Sequence, residues 1–82
     1  MVRALQPRER MPYRTNDDLP PAVRDHLPPH AQDVFREAFN HAFDAYGGDE
    51  PRAFRIAWAA VKRGYEKVEG EWRTKHNARW HA

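Results

Sequence analysis

The sequence predicts a mainly α domain: three helices, one short and two long, closed over one small core, with a minor two-stranded β pairing near Tyr13 and Trp72. Three observations lead there. Apolar residues recur at helical spacing in two stretches, 31–46 and 53–65. Paired prolines at 20–21 and 28–29, and the glycines Gly47 and Gly48, punctuate those stretches where helices begin and end. The chain has only 82 residues, which leaves room for one core and excludes a second folded domain beside it.

Residues 1–10 hold Arg3, Arg8 and Arg10 around one isolated Leu5 and are expected to form a disordered extension. The domain is expected to span 11–73, and 74–82 to be a disordered tail. In NDDLPPAV, Asp18 is the expected N-cap of a first helix over 19–27, which Pro28 ends by disfavouring helical backbone at Leu27. Pro29 opens a second helix, 29–46. Its apolar stripe is Ala31, Val34, Phe35, Ala38, Phe39, Ala42, Phe43 and Tyr46; opposite it, Asp33, Glu37, Asn40 and Asp44 share an acidic outer face. Asp49 caps a third helix, 50–67, with Ala53, Ile56, Ala57, Ala60, Val61 and Tyr65 as its stripe, and Gly64 weakens its last turn by about 1 kcal/mol relative to alanine. The extended pieces MPYRT and EGEWRT are left to pair with each other, bringing Tyr13 to Trp72.

Composition narrows the function. The chain contains no cysteine and no serine, so disulfides, thiolate metal sites and two common nucleophiles are absent. No catalytic residue is assigned, and an enzyme is not expected. His26 and His30 have the four-residue spacing of a metal-binding helix face, but Pro28 and Pro29 break the helix between them, so neither a metal nor a cofactor is expected. Without an apolar leader or an apolar run of spanning length, the protein is expected to stay in a reducing cytoplasm of bacterial type, without membrane insertion, and as a monomer.

The net charge of +2 hides an uneven distribution: +3 over 1–16, −6 over 17–50 and +5 over 51–82. Asp33, Glu37 and Asp44 are therefore candidates for contact with a basic protein surface. The alternative is a nucleic-acid surface on the basic C-terminal segment, with Arg73, Lys75 and Arg79 meeting phosphates and Trp80 stacking on a base.

The run DLPPAVRDHLPPHAQDVFREAFNHAFDAY at 18–46, preceded by MPYRTNDDLP at 11–20 and followed by AWAAVKRGYEKVEGEW at 57–72, resembles the ChaB family, named for the regulation of cation transport. The doubled LP and the AWAAVK segment carry the likeness. It departs from that pattern in its ten-residue head, in the short GGDEPRAFRI between the long helices, and at Phe54, where the family usually has histidine. The resemblance implies a small cytoplasmic protein that regulates a calcium or sodium/proton antiporter through protein contact. Related domains beside a termination-factor module keep a nucleic-acid-associated accessory role as the alternative.

Overall fold

The computed structural model describes residues 12–75. The extension expected over 1–10 and most of the tail expected over 74–82 lie outside them. In chain order the elements are a 3-10 turn, Asn16–Asp18, a one-turn helix α1, Pro21–Arg24, two long helices α2, Pro29–Ala45, and α3, Glu50–Gly64, and a hairpin of β1, Tyr65–Val68, and β2, Glu71–Thr74. The architecture is mainly α with one small antiparallel pairing, as the sequence predicts.

Three boundaries differ from expectation, each for a local reason. The first helix starts at Pro21, not at 19, because Pro21 forces Pro20 into extended backbone (φ −58°, ψ 148°). After Arg24 the chain continues only as a turn to Leu27. Asp18 does not cap that helix. Its carboxylate turns back and accepts hydrogen bonds from the N–H groups of Arg14 (3.1 Å) and Thr15 (3.2 Å), closing the 3-10 turn instead.

The third helix stops at Gly64, three residues short of the expected 67. Tyr65 is already extended (φ −136°, ψ 155°) and starts β1. The β pairing expected between the segments near Tyr13 and Trp72 forms instead within one hairpin, with Lys67 opposite Trp72 and Val68 opposite Glu71. Its two-residue loop, Glu69 (φ 52°) and Gly70 (φ 83°), has positive φ at both positions, the backbone of a type I′ turn. Tyr13 and Trp72 thus pack in different places, Tyr13 on Phe39 with ring centroids 4.7 Å apart and Trp72 on Trp58 at 5.6 Å.

Helix α2 ends as its glycines suggest. The N–H of Gly48 donates to the Phe43 carbonyl at 2.8 Å and Gly47 takes a left-handed φ of 66°, a Schellman closure. At the next start the Asp49 carboxylate accepts from the Arg52 N–H at 3.1 Å, the cap the sequence predicts.

The long helices pack through small residues. Ala31, Ala53 and Ala57 are wholly buried and let the backbones approach, while Phe35, Phe39 and Val61 fill the space between. Leu19, Val23 and Leu27 complete the core from the proline-rich segment, and Tyr65 joins it from β1. Val34, Ala38, Phe43 and Ile56 pack at its edge. Tyr46 departs from its predicted stripe: it is 48% exposed, with the Arg52 guanidinium over its ring at 4.4 Å.

Candidate docking surfaces

Three surfaces are candidates for function. On α2, Glu37 and Asp44 are exposed and Asp33 is half-buried. Asp33 is tied into a cluster: Asn16 donates its side-chain amide to Asp33 at 2.8 Å, Arg36 donates Nε to the Asn16 amide oxygen at 2.8 Å, and Arg36 Nη2 lies 3.6 Å from Asp33. The cluster fastens the 3-10 turn to α2 and leaves Asp33 half screened. Its negative charge still acts locally, since burial first and then Asp33 raise the Tyr65 phenol above its ordinary value.

Asn40 does not belong to that exposed face. It is 7% exposed and binds the chain entering the domain from both sides: the Tyr13 N–H donates to its Oδ1 at 3.1 Å, and its Nδ2 donates to the Tyr13 carbonyl at 2.7 Å. A side chain thereby supplies the paired hydrogen bonds that a neighbouring strand would give the extended segment at Tyr13. Sequence reasoning missed this role, because an asparagine beside an apolar stripe carries no local sign of burial.

Of the basic C-terminal candidates, Arg73 and Lys75 fall within the described residues. Arg73 stands opposite Glu66 in the hairpin, and its guanidinium lies 3.5 Å from the Glu71 carboxylate. Lys75 follows β2, where its N–H donates to the Gly64 carbonyl at 2.9 Å. Arg79 and Trp80 lie outside the described residues. Lys67 extends its ammonium over the Trp72 ring at 5.9 Å.

The third surface has no counterpart in the sequence pattern. Between the segment at Tyr13 and the first turns of α3 opens a groove of about 510 Å³, with Phe39 on its floor and Tyr13, Glu50, Pro51, Phe54 and Arg55 around it. Its residues come from three separate stretches of chain, so no spacing rule unites them. Phe54 is 37% exposed. Burial, and secondarily the negative charge of Glu50, raise the Tyr13 phenol above its ordinary value.

His26 turns back to α1, its Nδ1 2.9 Å from the Ala22 carbonyl, while the His30 ring packs near Tyr65. Among the described residues no three His, Asp or Glu side chains cluster as metal ligands. Adding EDTA is accordingly expected to leave the melting temperature unchanged; a fall on chelation would reveal a structural metal. No helix among the described residues is long and apolar enough to cross a membrane.

Fold and surface together define a small helical module that presents an acidic helix face and a largely apolar groove. The ChaB family model matches residues 19–75. ChaB of Escherichia coli K12, named for the regulation of cation transport, is 42% identical over 80 residues, which span 87% of this chain and 96% of the relative. ChaB of Shigella flexneri matches to the same extent. The NMR solution structure of a ChaB protein superposes with a TM-score of 0.71 at 43% identity, covering 78% of this chain and 99% of that one. The chain belongs to the ChaB family.

Proposed function

We propose that this protein is a non-catalytic cytoplasmic regulator of cation transport that acts by protein contact, the acidic outer face of α2 docking on a basic cytoplasmic segment of a cation antiporter. The observation that carries the reading is the exposure of Glu37 and Asp44 on α2, with Asp33 on the same face. The family relationship supports the regulatory part, since its relatives are named for regulating cation transport and not for a reaction.

The competing reading, a nucleic-acid accessory protein, would use Arg73, Lys75, Arg79 and Trp80. It draws less support, because Arg73 is matched by Glu71 and faces Glu66 across the hairpin. A cation already neutralised by carboxylates releases little counterion on meeting phosphate.

The test is sedimentation of the purified protein with inside-out membrane vesicles that carry a cation antiporter, against vesicles that lack it. Changing Asp33→Asn, Glu37→Gln and Asp44→Asn together is expected to weaken binding about tenfold and to flatten its dependence on salt, whereas Arg73→Gln, Lys75→Gln and Arg79→Gln together change it little. Equal binding by the acidic triple variant and the native chain would defeat the proposal.

A further inference from the structure

The walls of the groove in front of Phe39 describe a particular occupant. The Tyr13 and Phe39 rings lie 4.7 Å apart at 45°, and the Phe39 and Phe54 rings 6.3 Å apart at 85°. The three ring planes are therefore turned against one another around the groove, not stacked flat. Pro51 adds apolar wall, and Glu50 brings a carboxylate close enough for its charge to be felt at Tyr13. Among the described residues Glu50 has no cation within ion-pair distance.

Elsewhere two rings carry the protein's own cations: Arg52 lies over the exposed Tyr46 and Lys67 over the half-buried Trp72. Among the described residues Phe54 has no cation over its ring, although it and Tyr46 are the most exposed of the large apolar side chains. An acidic occupant would be repelled by Glu50, and a purely apolar one would bury the carboxylate unpaired, at a cost. A long cationic side chain meets the apolar walls and the Glu50 carboxylate together. Its alkyl stem lies on Phe54 and Pro51, and its charge rests against the ring faces and Glu50.

We propose that the groove is the seat of one arginine or lysine side chain projecting from a basic segment of a protein partner. The proposal rests on the docking reading above in taking that partner to be basic, and it adds a second point of attachment separate from the acidic face of α2. Arg55, on the same rim and without a carboxylate partner among the described residues, donates to main-chain carbonyls of the incoming segment.

The experiment is an NMR titration of the full chain, following the ring resonances of Tyr13, Phe39 and Phe54, with capped pentapeptides Gly-Ser-X-Ser-Gly in which X is arginine, lysine, norleucine or glutamate. The arginine and lysine peptides are expected to shift those rings saturably. Norleucine, which keeps the stem without the charge, should bind at least about fivefold more weakly, and glutamate should cause no shift. Glu50→Gln is expected to weaken the arginine peptide about fivefold while leaving norleucine unchanged, a split that a merely structural role would not produce. Phe54→Ala should abolish cation binding, and Phe54→Leu, which keeps apolar bulk without a ring face, should do the same if the alanine variant fails to fold. Norleucine binding as tightly as arginine would overturn the proposal. Arginine shifts confined to Asp33, Glu37 and Asp44 would overturn it while leaving the docking reading intact, and no shift at either surface would remove both.

Discussion

Replacing Phe39 by alanine is expected to lower the unfolding free energy by about 3–5 kcal/mol, the range for removing a large buried aromatic side chain. The position explains the size of the effect. Phe39 is 2% exposed and touches four other rings, those of Tyr13, Phe35, Phe43 and Phe54, so it joins the incoming segment, both turns of α2 beside it and the start of α3. A domain of this size has total stability of only about 5–10 kcal/mol, so the variant should be largely unfolded at modest denaturant. Urea unfolding followed by circular dichroism checks this, and a midpoint within error of the native one would show that the helical register is wrong. The same substitution removes the floor of the groove, so cation binding there should vanish together with stability.

Asn40→Ala is expected to cost about 2 kcal/mol, because it breaks two hydrogen bonds and leaves the partly buried N–H and carbonyl of Tyr13 without partners. Its effect should also be local. The segment over 12–18 should lose hydrogen-exchange protection well before α2 and α3, since the helices retain their own packing and the segment loses its main attachment. The Asn16, Asp33 and Arg36 cluster would still hold the 3-10 turn, so the loosening should be greatest at Tyr13. Exchange measured by mass spectrometry on the native chain and the variant separates this from global destabilisation, which would raise exchange uniformly. Uniform exchange would show that Asn40 belongs to the common core and is not a latch on the entering segment.

The two long helices were legible in the sequence because their stripes are long and each carries a proline in its first turn. Phe35, Phe39, Ala53, Ala57 and Val61 are buried where their spacing predicts. The hairpin was not legible for a specific reason. Val61, Tyr65 and Val68 continue the helical spacing of α3, so periodicity cannot distinguish a fraying helix from a strand there, and Glu69-Gly70 is a less familiar type I′ loop than Asn-Gly. With β1 hidden inside the expected helix, the segment at Tyr13 was the only partner left for Trp72. What that segment requires, two hydrogen bonds for an extended backbone, comes instead from the side chain of Asn40.

The candidate surfaces follow the same division. Asp33, Glu37 and Asp44 could be placed on one face by arithmetic along a single helix, whereas the involvement of Asp33 with Asn16 depends on how the preceding segment folds back. Groups such as Tyr13, Phe39, Glu50 and Phe54 share no local pattern, and only the packing of α3 and of the entering segment against α2 brings them together. The opposed charges on Glu71 and Arg73 were visible in sequence as neighbours, but their pairing needed the extended backbone of β2, which puts residues two apart on one face.

The most direct test of the claim that this protein works by protein contact through its acidic face is a titration with fluorescent single- and double-stranded oligonucleotides at two salt concentrations. It compares the native chain with the variant lacking charge at Asp33, Glu37 and Asp44 and the variant lacking charge at Arg73, Lys75 and Arg79. The account predicts no micromolar binding by the native chain at near-physiological salt, and no dependence on the basic positions beyond weak, salt-sensitive association. Micromolar binding that the basic variant loses and the acidic variant keeps, with the salt slope falling by about one unit for each cation removed, would contradict it.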